Sequence, residues 1–221
     1  MPITLPKQGI RNVKHGHPAL LLAVVATIAV AVEMSTTVVR FDAALGSLAR
    51  ASAAAIPHDV ELGVSLLAGT HIVMPLTAVC ALGLCAIRHW RGALTVVLAV
   101  LGTQGLVALM KGFVERPRPA ANSSLAEASG FSFPSAHSAT AIALYATLTL
   151  IAAGACHGKA RVMVVVAGMS VVVAVGFSRI LVAAHYPTDV LAGWLTGAAV
   201  VAACSLLASR ISISRVALPR P

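Results

Sequence analysis

VMVVVAGMSVVVAVGFSRILVAAHYPTDVLAGWLTGAAVVAACSLLA, Val162–Ala208, sets two long apolar runs on either side of one polar cluster. Each run, Val162–Val182 and Thr188–Ala208, is long enough to cross a bilayer core as a helix, which takes roughly 20 residues. The segment between them is short enough to be a turn. Ionisable groups are costly inside a membrane, so Ser178, Arg179, His185 and Asp189 at this junction need a chemical reason.

The same pattern recurs upstream. KGFVERPRP, Lys111–Pro119, follows an apolar run over Ala93–Met110, and FPSAH, Phe133–His137, precedes another over His137–Ala155. Two earlier runs, Ala19–Val39 and Gly63–Ile87, complete six expected spans, the second with Pro75 as an expected kink. Between them, Phe41, Ala44, Leu45 and Leu48 fall at i, i+3, i+4 and i+7, the spacing of a short helix lying in the interface before Pro57. The basic start and Ala29-Val30-Ala31 also resemble a cleavable leader, but the apolar run continues past that tripeptide and reads as an uncleaved span.

Composition agrees. Of 221 residues, 58% are hydrophobic and 10% charged, and the mean hydropathy of +0.92 argues against a soluble globular domain. The expected fold is therefore an all-α membrane bundle of six spans, residues 19–208, between basic tails at 1–18 and 209–221. The formal charge of +9 on a soluble protein would raise the question of nucleic acid. Here the cations lie between spans and at the termini, so topology and anionic headgroups account for them and no nucleic-acid partner is expected.

With six spans both termini share a side. That side would hold Lys7, Arg11, Lys14, Arg88, Arg91, Lys159, Arg161, Arg210, Arg215 and Arg220, ten of the sixteen basic residues. By the positive-inside rule it is cytoplasmic, and the three polar clusters converge on the outer face. Cys80, Cys85, Cys156 and Cys204 match no zinc or redox spacing and read as buried thiols acting as small hydrophobes. No His/Asp/Glu cluster has metal-ligand spacing, so neither metal nor cofactor is expected.

Each cluster supports two readings by itself. Lys111 and Arg118 supply a point charge and a planar fork suited to phosphoryl oxygens; alternatively Lys111 snorkels at a helix end and Arg116-Pro117-Arg118-Pro119 is a stiff linker. Ser135 is placed to cap a helix whose first amides, including that of Ala136, form an anion site with His137 as proton donor; alternatively it is a cap beside an interfacial histidine. Pro187 suits the first position of the last helix, which puts Asp189 in its first turn. There it either orients the His185 imidazole as a nucleophile or is a favourable charge at a helix N-terminus. Arg179, Lys111, Arg118 and His137 on one face favour the chemical reading, phosphate-ester chemistry at a membrane surface.

Taken together, Lys, six residues, Arg-Pro; Pro-Ser-x-His; and Ser-Arg, five residues, His, three residues, Asp resemble the signature of the type 2 phosphatidic acid phosphatase superfamily, the lipid phosphate phosphatases. The resemblance covers Lys111 to Asp189, about a third of the chain, with Ala136 where the family usually has Gly. It implies His185 as a nucleophile forming a phosphohistidine, Asp189 as its orienting carboxylate and His137 as general acid. Lys111, Arg118, Ser135, the Ala136 amide and Arg179 would bind phosphate without a metal. It further implies an enzyme of the plasma (inner) membrane acting on a lipid phosphate or pyrophosphate, with polyprenyl (undecaprenyl or decaprenyl) pyrophosphate the leading expectation, given a small chain without an extra domain. Phosphatidate or phosphatidylglycerol phosphate is the alternative, and a non-catalytic lipid transporter or assembly subunit is the alternative of another class. Glu33 and His71 inside spans and Arg116 in the first cluster stand as open leads for substrate contact, and Trp90 and Tyr186 read as interfacial anchors.

Overall fold

A computed structural model describes residues 17–119 and 130–210, and those residues fold into helices with no strand among them. Lys7, Arg11, Lys14, Arg215 and Arg220 of the expected tails, and residues 120–129 of the expected outward loop, lie outside the described residues. Among the described residues, four helices are long and apolar enough to span a membrane, or up to six spans result when each of two bent helix pairs counts as one.

The first bent pair is α1 (Pro18–Met34) and α2 (Thr36–Ser52), which meet at 100°. The expected run Ala19–Val39 is thus divided at Ser35. Ser35 takes an extended backbone, and its side chain accepts from the Val38 amide at 3.3 Å, capping α2 and turning the chain. Along α2, Phe41, Leu45 and Leu48 are exposed, at 69%, 43% and 62%, while Asp42 and Gly46 on the other face are buried. The apolar stripe therefore faces outward from the bundle, as an interfacial helix requires.

The second pair is α3 (His58–Leu66) and α4 (Thr70–Ala86), bent by 41°. The bend falls at Leu67–Gly69 and not at Pro75, which α4 accommodates in its second turn. Then come α5 (Trp90–Val114), α6 (Ala136–Ala141), a π-helical turn over Ile142–Ala146, α7 (Thr147–Ala155), α8 (Gly158–Leu181) and α9 (Pro187–Arg210). In the π turn, the Tyr145 hydroxyl donates to the Leu67 carbonyl at 2.6 Å. A carbonyl exposed at the break in the second pair is thereby satisfied within the protein, as a hydrocarbon surround demands.

The last helix is the hub: α9 packs on α1, α5 and α6. Its contact with α6 is close because Gly193 and Gly197 face it. A Cβ at Gly193 would lie 2.5 Å from the Ser135 carbonyl oxygen, and one at Gly197 would lie 2.5 Å from that of Ala139. One core cluster gathers Val73, Val96, Val100 and Leu144; another gathers Val25, Val32, Phe133 and Ala192. Phe133 thus plugs the second polar cluster into the bundle beside α1 and α9. The four cysteines are free and only half-buried or exposed, which corrects the expectation of burial. Cys204 packs at the margin of a core cluster, and Cys85 is the exposed one.

Candidate active site

The three polar clusters meet at one end of the bundle, where α5 and α8 end and α6 and α9 begin. His185 lies in the turn after α8, and its amide donates to the Arg179 carbonyl at 3.1 Å. Pro187 opens α9, placing Asp189 in the first turn. The Ser135 amide donates to the Asp189 backbone carbonyl at 3.0 Å, stitching the second cluster to the third.

His185 is 2% exposed and Asp189 fully buried. The carboxylate does not hydrogen-bond the imidazole directly: Nδ1 of His185 is 3.7 Å from Oδ2 of Asp189. Ser132 Oγ fills the gap, donating to Asp189 Oδ2 at 2.5 Å and standing 3.3 Å from His185 Nδ1. Since the serine proton goes to the carboxylate, Nδ1–H donates to Ser132 Oγ. The other ring nitrogen is met by Arg118 Nη1 at 3.4 Å. A guanidinium has only donors, so Nε2 must be the acceptor and carries the lone pair. Burial above all lowers the His185 pKa from 6.5 to about 4, with Asp189 opposing and the Arg118 and Arg179 charges acting in the same sense as burial. The ring is therefore neutral at physiological pH.

The cations crowd the same place. Lys111, in the last turn of α5, donates to the Phe131 carbonyl, and Arg118 donates through Nε to the Gly130 carbonyl at 3.0 Å and through Nη1 to the Ala184 carbonyl at 2.8 Å. Burial lowers the Arg118 pKa, with Asp189 acting in the opposite sense. The Arg179 guanidinium is held by Ser65 Oγ of α3. Ser135 caps α6, its Oγ accepting from the Ser138 amide at 3.4 Å and from Ser138 Oγ at 3.0 Å. Ala136 is the first helical residue and is absent from the positive-φ positions, which are Arg88, Glu115 and Ala183 among non-glycines. Its methyl group therefore meets no backbone conflict. His137 lies within electrostatic reach of Arg179, His185, Arg118 and Lys111.

All eight residues singled out from sequence are brought to this end of the bundle. Glu33 and His71 are exposed on α1 and α4. Tyr186 is not a simple interfacial anchor, since the Arg116 guanidinium stacks 4.1 Å from its ring centroid. Sequence reasoning missed Asp42, Ser65, Ser132 and Thr188 and left Arg116 open. Ser132 adjoins a recognised motif and Thr188 lies within another, which were usable signals; Asp42 and Ser65 had none. Among the described residues, no three His, Cys, Asp or Glu side chains are grouped to hold a metal ion.

A sequence model of the PAP2 superfamily matches residues 92–213, more than half of the chain. The chain belongs to the PAP2 superfamily. It is 33% identical over 144 residues to phosphatidylglycerophosphatase B of Bacillus subtilis (strain 168), covering 63% of this chain and 70% of that one. The crystal structure of a transmembrane PAP2-type phosphatidylglycerolphosphate phosphatase from Bacillus subtilis superposes with a TM-score of 0.78 at 26% identity, over 90% of this chain and 99% of the other. Aquifex aeolicus LpxE shares the PAP2 fold, with a TM-score of 0.53 at 22% identity over 74% and 93% of the two chains. The PAP2 match contains every motif residue but starts after Asp42 and Ser65, so two contacts to the site's arginines come from segments outside it. The protein is a multi-pass membrane lipid phosphatase of the PAP2 type.

Proposed function

We propose that the protein removes the terminal phosphate of a glycerophospholipid phosphate, with phosphatidylglycerol phosphate as the leading substrate, through a phosphohistidine on His185. The observation that carries the mechanism is the setting of the His185 ring: Nδ1 faces Ser132 Oγ, which itself donates to Asp189, and Nε2 faces Arg118, a placement that leaves the Nε2 lone pair as the attacking group. The expectation of polyprenyl pyrophosphate gives way on substrate. Both the curated relative and the closely superposing structure are named for phosphatidylglycerophosphate, and apolar helix walls carry no code for a polyprenyl tail.

In this reading Lys111, Arg118, Arg179 and the first amides of α6, including that of Ala136, hold the phosphoryl oxygens, with Ser135 fixing the start of that helix. His185 Nε2 attacks phosphorus, the bond to the lipid oxygen breaks, and His137 gives that oxygen a proton. Water, losing a proton to His137, then attacks the phosphohistidine; the P–N bond breaks and phosphate leaves. Asp189 balances the positive imidazole ring while the phosphoryl group is attached. The cations provide the charge stabilisation, so no metal ion enters a step. Ten of the sixteen basic residues fall on the side of the termini, six of them in the two tails, and this supports cytoplasmic termini and a site on the outer face.

Phosphate release from phosphatidylglycerol phosphate, phosphatidate and undecaprenyl pyrophosphate, measured in detergent with a chelator, tests the reading. Chelator-resistant release, fastest on phosphatidylglycerol phosphate and abolished in His185→Ala, is the expected result, with an acid-labile, alkali-stable phosphoenzyme trapped in the wild type. Full activity of a folded His185→Ala protein refutes the mechanism, and faster turnover of the pyrophosphate refutes the substrate.

A further inference from the structure

Asp42 and Arg116 lie behind Asp189, one on α2 and the other just after α5, and are 1% and 4% exposed. Arg116 Nη2 donates to Asp42 Oδ2 at 2.8 Å, while its Nη1 donates to Asp189 Oδ1 at 2.6 Å and to Thr188 Oγ1 at 2.9 Å. Asp42 also accepts from the Thr188 amide at 3.0 Å and from Thr188 Oγ1 at 2.5 Å, capping the first turn of α9. Two buried carboxylates thus share one guanidinium.

That sharing matters for the imidazole. A guanidinium paired with Asp189 alone would neutralise much of the charge that Asp189 must present to the phosphohistidine. With Asp42 on its other side, Arg116 is already compensated, and the three groups keep one net negative charge toward His185. The contact also occupies Oδ1, which leaves Oδ2 turned to Ser132, the Tyr186 amide at 2.9 Å and His185.

Accepting His185 as nucleophile and Asp189 as its partner, we propose that Asp42 and Arg116 are positioning residues: together they aim the Asp189 carboxylate and preserve its charge for the imidazole. The site is then completed by a residue of α2, outside the segment that defines the family. If the pair only clipped α2 to α9, its loss would lower stability and leave the titration of His185 where it was.

The groups facing His185 are Asp189, Arg118, Arg179 and, by mutual charge, His137. Against that background the charge argument fixes signs. Asp42→Asn leaves Arg116 acting on Asp189 alone, so kcat falls roughly 10-fold with KM little changed, and the acid limb of kcat/KM moves to lower pH. Arg116→Gln leaves two uncompensated carboxylates and moves that limb to higher pH. The double variant Asp42→Asn/Arg116→Gln restores the single net charge, so its limb returns toward the wild-type position and its kcat exceeds that of either single variant.

The experiment is the pH profile of phosphate release for these three proteins, the wild type and His185→Ala, each checked for folding by thermal unfolding in detergent. Opposite limb shifts in the singles with return in the double support the proposal; unmoved limbs, or a double no better than the worse single, overturn it. If a protein carrying Arg116→Gln does not fold, the Asp42→Asn limb decides alone. Activity surviving in His185→Ala brings down the underlying mechanism, whereas its loss there beside a wild-type profile in Asp42→Asn brings down only the positioning role.

Discussion

Nδ1 of His185 and Oδ2 of Asp189 stand 3.7 Å apart, with the Ser132 hydroxyl reaching both. His185 and Asp189 are therefore coupled through a third side chain. Ser132→Ala leaves Nδ1–H without its acceptor and Asp189 Oδ2 without its shortest donor. Loss of one buried hydrogen bond of this kind costs about 1–3 kcal/mol, so kcat on the best lipid substrate should fall roughly 10-fold or more while KM changes little. Steady-state kinetics of the folded variant decide it, and an unchanged kcat means that Asp189 acts without the serine.

Acidity gives a second expectation. Burial lowers the His185 pKa from 6.5 to about 4, so the ring stays neutral down to about pH 4. The limb of kcat/KM attributable to this group should fall below pH 5. Stability follows the same sign: the unfolded chain takes up the proton first, so His185 contributes stability that is full above pH 6.5 and is lost as pH falls toward 4. Arg118 and Arg179 hold the value down and Asp189 holds it up, so Asp189→Asn should move the limb lower still. An acid limb at 6.5 in the wild type would contradict the buried, neutral ring.

Ala136 occupies the first helical position of α6 with ordinary helical backbone. Ala136→Gly, which restores the residue more usual in the family, should leave kcat within about 2-fold and lower stability by at most about 1 kcal/mol, the entropic cost of glycine in a helix. Thermal unfolding in detergent beside phosphate release checks both halves. A large gain in activity would show that the methyl group obstructs the phosphate.

Gly193 places α9 against the Ser135 carbonyl with no room for a side chain. Gly193→Ala should separate α6 from α9, lowering the unfolding temperature by several degrees and slowing turnover at least 10-fold, because His137 and Ser135 ride on α6 and Asp189 on α9. Gly105→Ala is the control, since nothing lies within 4 Å of the added carbon and the change should be neutral or slightly stabilising.

What could be read from the sequence, and what could not, follows physical lines. The ends of α5, α6, α8 and α9 were legible because long apolar runs stop at polar clusters. His185, Asp189, Arg118 and their neighbours were legible because ionisable groups are conspicuous there. Ser35 was not, though Ser-Thr-Thr in an apolar stretch is a capping signal, and without that bend α2 has no defined place over the site. Asp42 then read as one more polar residue in an amphipathic helix, since a lone carboxylate does not announce a partner 74 residues away. Ser132 had a signal in its place beside Phe133–His137, but serine is common in polar loops and its role is specified by its distance to two side chains. Pro75 misled in the other direction, because proline in an early helical turn removes one hydrogen bond without forcing a break.

The packing of α1 against α9 bears on how the enzyme comes into being. Among the described helices the first in chain order rests on the last, and α9 also carries Asp189 and the glycines that seat α6. A chain that stops before α9 leaves faces of α1, α5 and α6 unmatched and lacks Asp189. Convergence of the three polar clusters into one pocket therefore waits on α9, the helix on which α1, α5 and α6 all pack.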